Sequence, residues 1–117
     1  MKLTYAQMFD SVQVLNQVEE KGVLGFAIAR NRRILSAELR EYAQKRDELL
    51  AEYGTDEGNG RFTIPGEKVP AFSEALRPYA EMTADVAVIQ VDAEAFCGGN
   101  LTSSQMFVLE WMVREVA

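Results

Sequence analysis

Apolar residues recur at helical spacing through the central part of the chain, from about Leu24 to Tyr53. Steps of three, four or seven residues keep side chains on one face of an α-helix. The positions that follow this spacing are Leu24, Ile28, Leu35, Leu39, Tyr42, Leu49 and Tyr53. A helix of about thirty residues spans roughly 45 Å, more than the core of so short a chain requires. The pattern predicts one long amphipathic helix, stopped by Gly54, whose flank offers a surface for binding.

A shorter helix is predicted before it, over about residues 5 to 20. Thr4 and Gln7 have the spacing of a capping box, in which each side chain satisfies a free backbone N–H of the other residue. Gly22 is suited to end this helix, because glycine adopts the left-handed conformation readily. The short connection to the long helix predicts an antiparallel helical hairpin.

Two short strands are predicted in the second half, over residues 61–64 and 86–91, where β-branched residues alternate or run together. A third helix lies between them in sequence. Pro70 fits its first turn, and Pro78 predicts a kink or a break further along. The direction of one strand relative to the other stays open. Two strands are a marginal sheet, so a second copy of the chain is one way to complete it.

A closing helix is predicted at the end, from Ser103 to Val116, opened by a second capping box at Thr102 and Gln105. Together these elements predict an α+β fold, mainly α, with an N-terminal helical hairpin, a long second helix and a small two-stranded sheet. The third helix lies between the strands and the last helix closes the core. We expect a single domain over residues 1–117.

Composition narrows the class of protein. The chain is 48% apolar and 26% charged, and no apolar run reaches the ~18 residues that span a bilayer. One cysteine excludes an internal disulfide and fits a reducing compartment, so we expect a cytoplasmic location. The net charge of −6 argues against generic nucleic-acid binding, although residues 22–46 carry six basic and two acidic side chains.

Histidine is absent, which removes the commonest general base and the commonest metal ligand. One cysteine and no histidine also cannot fill a zinc site of the usual kind. Asp92 and Glu94 are two residues apart at the end of the second predicted strand, with Asp85 at its other end. They are either a magnesium-binding pair or solvated acids at a strand end. The segment from Asp56 to Gly60 reads as a turn. We expect no catalytic residue, no cofactor and no metal.

Two groups of residues are candidates for binding a partner. Arg30, Arg33 and Arg40 project opposite the apolar stripe and form a basic ridge. This ridge is either a docking strip for an acidic partner or phosphate backbone, or a solvated face with ordinary ion pairs such as that between Glu41 and Lys45.

Arg46 lies inside the apolar stripe, where it either extends to solvent or marks a partner contact. The second group is Phe107 with Trp111, one helical turn apart. These aromatic residues are either interface anchors or the lid of the core.

The chain also resembles a family of short proteins encoded by tailed bacteriophages and prophages, almost over its whole length. The residues that carry the resemblance are Met1-Lys2-Leu3-Thr4, the helix Met8–Val18, Ala27-Ile28-Ala29-Arg30-Asn31, Leu39-Arg40-Glu41-Tyr42, Arg46-Asp47-Glu48-Leu49-Leu50, Tyr53-Gly54 and Leu109-Glu110-Trp111-Met112. The family brings no established activity, so the resemblance implies an origin and no site residues. It also implies that the cytoplasm is that of a bacterial host, with virion association as the alternative location.

The sequence therefore leads to three hypotheses. The first is a non-enzymatic phage or prophage protein that acts through protein–protein contacts, as a virion or assembly component or a small regulator, with self-association expected. The second is an inhibitor of a host defence system that handles nucleic acid, and the third is a magnesium-dependent enzyme using Asp92 and Glu94. Direct nucleic-acid binding through the three ridge arginines is the weakest option for an acidic chain.

Overall fold

The computed structural model describes residues 1–114, which form six α-helices, four short strands and two 3₁₀ turns. The helices are α1 (Tyr5–Leu15), α2 (Gly22–Glu38), α3 (Arg40–Tyr53), α4 (Val69–Ala80), α5 (Ala93–Cys97) and α6 (Ser103–Val108). The strands are β1 (Lys2–Thr4), β2 (Thr55–Asp56), β3 (Phe62–Thr63) and β4 (Thr83–Asp85), and the 3₁₀ turns are Gly66–Lys68 and Glu110–Met112. The fold is α+β and mainly α, as predicted.

Helix α1 begins at the predicted capping box. The Thr4 hydroxyl accepts a hydrogen bond from the backbone N–H of Gln7 at 3.0 Å, and the Gln7 side chain accepts one from the Thr4 N–H at 2.8 Å. The helix ends at Leu15 and not near residue 20, as was expected. The Arg32 guanidinium donates to the Leu15 carbonyl at 2.6 Å, so a side chain from α2 satisfies this helix end.

The predicted long helix is correct in extent but wrong in continuity, because it is divided at Leu39. The ψ angle of Leu39 is −5°, which tightens the backbone toward 3₁₀ geometry at that residue. Its N–H still bonds the Leu35 carbonyl at 2.9 Å, and the Ala43 N–H bonds the Leu39 carbonyl at 2.8 Å. Helical hydrogen bonding therefore passes through the interruption. At the other end, α2 starts at Gly22, whose φ is +66°.

The hairpin of α1 and α2 is antiparallel, as predicted. Tyr5, the first residue of α1, donates through its hydroxyl to the Glu38 carboxylate at 3.1 Å, at the end of α2. Its ring also stacks on Tyr42 with 5.6 Å between the ring centroids. The start of one helix thus lies beside the end of the other.

The predicted sheet of residues 61–64 and 86–91 is absent from the described residues, because the two segments do not pair with each other. Strand β3 pairs with β2 in a local antiparallel hairpin across the glycine-rich turn. Strand β1 pairs with β4, also antiparallel, with Lys2 opposite Asp85 and Thr4 opposite Thr83. The local partner of β3 needs only a short loop to close, so it forms in place of the distant one.

The predicted strand over 86–91 does not form, and the segment belongs to neither sheet. The side chain of Asn31 donates to the Ile89 carbonyl at 2.9 Å and accepts from the Ile89 N–H at 2.7 Å. Val91 makes a single parallel bridge with Val113. These groups bond part of its backbone, so the most strand-like stretch of the sequence packs against the core, with Val86 and Val91 buried, without joining a sheet.

Helix α4 contains Pro70 in its first turn, as predicted, and runs past Pro78 to Ala80. The expected break is absent because Pro78 lies in the last turn. There the missing N–H removes one hydrogen bond near the end of the helix and does not interrupt its middle.

Helix α6 begins at the second predicted capping box, where the Thr102 hydroxyl accepts from the Gln105 N–H at 3.2 Å. The helix ends at Val108, so the prediction of a helix to Val116 is wrong. Beyond the following 3₁₀ turn, the Val113 backbone is extended and pairs with Val91. The last residues of the predicted helix lie beyond residue 114 and outside the described part of the chain.

The core is one hydrophobic cluster to which the hairpin, the segment 86–91 and the C-terminal elements all contribute. Its most deeply buried apolar side chains are Met8, Leu15, Leu35, Leu109 and Met112. Leu35 is on the inner face of α2, and the other four come from α1 and the C-terminal elements, whereas the residues on the opposite face of α2 are exposed.

Candidate interaction surfaces

The three ridge arginines lie on the outer side of α2 and α3, as predicted, and all are exposed. No carboxylate lies within 4.0 Å of Arg30, Arg33 or Arg40 in the described residues. The expected pair between Glu41 and Lys45 is absent there, since Lys45 bonds Glu48 at 3.4 Å. The guanidinium groups of the ridge are therefore available to a partner.

Two apolar side chains on the same helix face extend this ridge. Val23 is 69% exposed and Phe26 is 62% exposed. They precede Arg30 and Arg33 at helical spacing, so the four side chains share one face of α2. These two residues were not predicted, because the candidates were chosen from the buried stripe and the arginines. Phe26 could have been recognised as an aromatic residue that lies outside the helical spacing of that stripe.

We call this surface the outer face, and define it by the exposed residues of α2 and α3 that lie opposite the buried stripe. Its members used below are Val23, Phe26, Ala29, Arg30, Arg33, Ser36, Ala37, Arg40, Gln44, Asp47, Glu48, Ala51 and Glu52.

Arg32 is not a member of the outer face. It is half-buried, and its guanidinium donates to the Leu15 carbonyl from two nitrogens, at 2.6 and 3.1 Å, and to the Val18 carbonyl at 3.4 Å. These carbonyls follow the last turn of α1, where no helical N–H is available to them. The side chain is thus a structural cap that joins α1 to α2.

Arg46 also contacts its own chain. Its guanidinium lies 4.8 Å from the centroid of the Phe9 ring, within the range of a cation–π interaction. The sequence predicts that this side chain either extends to solvent or marks a partner contact. In the structure it packs against α1 instead. We therefore leave Arg46 out of the partner surface.

Phe107 and Trp111, predicted to lie one turn apart on one helix, are on α6 and on the following 3₁₀ turn. The Trp111 indole N–H donates to the hydroxyl of the buried Ser11 at 2.9 Å, so this ring closes the core. Phe107 is 75% exposed. Both line an open groove of about 1050 Å³ that also includes Asp10, Gln90 and Arg114.

The acids of the magnesium hypothesis do not converge. Asp92 precedes α5 and Glu94 lies in its first turn, so the extended geometry that would align them is not formed. The Asp92 carboxylate bonds Arg114 at 3.1 Å. Asp85 accepts a 2.7 Å hydrogen bond from the amino group of Met1, and this bond and its positive charge lower the pKa of Asp85.

No group of three or more metal-ligating side chains occurs within residues 1–114. Cys97 is exposed and has no disulfide partner, being the only cysteine of the chain. In the loop from Asp56 to Gly60, the Asp56 carboxylate accepts from the Gly58 N–H at 2.8 Å. This is the bond of an Asx turn, which agrees with the turn predicted there.

In the described part of the chain, no helix is both long enough and apolar enough to cross a membrane. No protein-family model, curated protein or solved structure matches the chain.

Proposed function

We propose that the protein is a non-enzymatic interaction protein that binds a protein partner through the outer face. The observation that carries the proposal is the juxtaposition of exposed Val23 and Phe26 with Arg30 and Arg33 on one face of α2. Aromatic and arginine side chains contribute most of the binding energy in many protein interfaces.

These side chains do not contribute to the packing of the fold. Their exposure leaves them outside the cluster that forms the core. A guanidinium without an ion pair and a solvated phenyl ring contribute little to stability, whereas a partner that covers them gains apolar burial and charge complementarity. This contrast supports a binding role for the outer face.

We place this protein in the cytoplasm of a bacterial host, or in a virion assembled there, and assign it a phage or prophage origin. The resemblance of the sequence to short phage-encoded proteins supports the origin. The single cysteine supports a reducing compartment. Within that setting the role is that of a virion or assembly component or a small regulator.

Inhibition of a host defence enzyme that handles nucleic acid is the second candidate. Five acidic side chains without an intervening basic one follow one another from Asp47 to Glu57, and all five are exposed. Such a cluster resembles a run of phosphates to an enzyme that binds nucleic acid. An unchanged efficiency of phage plating on hosts with and without active defences would eliminate this candidate.

Site-specific photocrosslinking tests the leading proposal. A benzophenone amino acid replaces Arg33 on the outer face in one variant and Ser73, exposed on α4, in the matched control. In cells that produce the phage or prophage proteins, we expect a covalent protein adduct from position 33 and none from position 73. No adduct from position 33, or equal adducts from both positions, would refute the proposed surface.

A further inference from the structure

We infer that the outer face is self-complementary and that a second copy of this chain docks on it in antiparallel orientation. The inference rests on the proposed function, since it names the occupant of the same surface. Four observations carry it: the continuity of the face, its charge polarity, the register of its residues and the near-neutral charge of the two helices.

The outer face is continuous across Leu39. Buried positions keep the same helical spacing on both sides of the interruption, from Leu24 and Leu35 in α2 to Tyr42 and Leu49 in α3. The opposite positions therefore share one side of the rod. The two helices together rise about 48 Å, which agrees with the longest dimension of the molecule, 45 Å.

The charges along the outer face differ between its two halves. Arg30 and Arg33 lie before Leu39, Arg40 lies next to the midpoint, and Asp47, Glu48 and Glu52 lie toward the end. Two parallel copies would place like charges together. Two antiparallel copies place arginines opposite carboxylates twice, once on each side of the twofold axis.

One register satisfies the apolar and charged positions together. In this register the twofold axis passes between Glu38 and Leu39. Position i of one copy then lies opposite position 77 − i of the other. Phe26 then lies over Ala51, and Arg30 lies opposite Asp47. The small side chain of Ala51 leaves room for the phenyl ring, and Asp47 is within 4.0 Å of no basic group in the described residues.

Small and polar side chains lie near the axis in this register. Arg33 lies opposite Gln44, Ser36 opposite Glu41, and Ala37 opposite Arg40. An alanine and a serine at the crossing point let the two helices approach closely, while the longer side chains lie across from acceptors or small residues.

The charge of α2 and α3 favours docking of two copies through these helices and not through their other surfaces. Residues 22–53 carry six basic and five acidic side chains, whereas the rest of the chain carries six basic and thirteen acidic ones. Surfaces outside α2 and α3 are therefore acidic on average and repel one another. The helical rod is the part that two copies can bring together without that repulsion.

Charge reversal tests the register. Arg30→Glu and Asp47→Arg are prepared separately and together, with Arg61→Glu, an exposed position outside the face, as the matched control. Sedimentation equilibrium gives the dimer dissociation constant. We expect each single change on the face to weaken the dimer at least about tenfold, because it turns two attractive contacts into repulsive ones.

The double variant restores the contacts with their signs exchanged, so we expect its dissociation constant within about threefold of the wild type. The control should change it less than threefold, and higher salt should weaken the wild-type dimer. Thermal melts of each variant establish that it is folded. A wild-type chain that stays monomeric at high micromolar concentration, or a double variant no better than the single ones, would overturn the inference.

Disulfide trapping is an independent test. In a Cys97→Ser background, Arg33→Cys and Gln44→Cys occupy opposite positions of the register near the middle of the face. Oxidation should give a covalent dimer when both are present and little when either is alone. Efficient trapping by Arg33→Cys alone would indicate a parallel pair and refute the antiparallel one.

The two proposals fail differently. If photocrosslinking from position 33 yields an adduct with another protein while the isolated chain is monomeric, the outer face is a binding surface and only the self-docking inference is wrong. If position 33 yields no adduct of any kind, the proposed function itself fails.

Discussion

Replacing Asn31 tests how the segment 86–91 is held in the core. The Asn31 side chain is fully buried and makes two hydrogen bonds with the backbone of Ile89, at 2.7 and 2.9 Å. In Asn31→Leu the side chain keeps the same number and branching of heavy atoms and loses both bonds. The substitution therefore separates the loss of hydrogen bonds from the creation of a cavity.

The magnitude follows from the groups left without partners. A buried N–H or C=O whose partner is removed costs about 1–3 kcal/mol, and here one of each is left on Ile89. The greater hydrophobicity of leucine offsets part of that cost. We expect a loss of about 2–4 kcal/mol in the free energy of unfolding, a large share of the 5–15 kcal/mol typical of a domain.

Urea unfolding measures this loss, and amide hydrogen exchange at Ile89 reports on the bond itself. Ser73→Ala, an exposed change on α4 outside the outer face, is the control and should alter stability by less than about 0.5 kcal/mol. A free energy of unfolding of Asn31→Leu within that margin of the wild-type value, with the Ile89 amide still protected, would refute this reasoning. The two hydrogen bonds between Asn31 and Ile89 would then not hold the segment.

Three further predictions address the helices and the tyrosine pair. Arg32→Ala should lower the free energy of unfolding by about 1–3 kcal/mol in urea titrations, because the terminal carbonyls of α1 lose a charged donor, and no loss would contradict the capping role. Gly25→Ala should destabilise by about 1–3 kcal/mol, since its Cβ would overlap a backbone carbonyl, whereas Gly66→Ala, with open space around it, should be nearly neutral in the same melts. Burial raises the pKa of both Tyr5 and Tyr42, so their contribution to stability is present below pH 10 and lost as the pH rises through the folded pKa values. Tyrosinate absorbance and stability followed together should show this alkaline loss reduced in Tyr42→Phe, and an identical pH profile would refute it.

The sequence by itself determined the local elements of the chain. Both capping boxes depend on side chains three residues apart, and both form as predicted. The helical periodicity located α2 and α3, and it placed Arg30, Arg33 and Arg40 on their outer side. These features follow from contacts within one or two helical turns, which residue order fixes directly.

The tertiary structure alone decided the contacts between residues far apart in the chain. Ile89 is joined to Asn31 across 58 residues, and Trp111 to Ser11 across 100. The strand predicted over 86–91 does not form, and at Ile89 the partner of its backbone is an amide side chain and not a strand. The pairing of Val113 with Val91 is likewise a long-range contact, and it lies where the sequence predicted a continuing helix. Local propensity states which conformation a segment prefers, whereas the groups that satisfy its backbone are supplied by whatever the rest of the fold brings beside it.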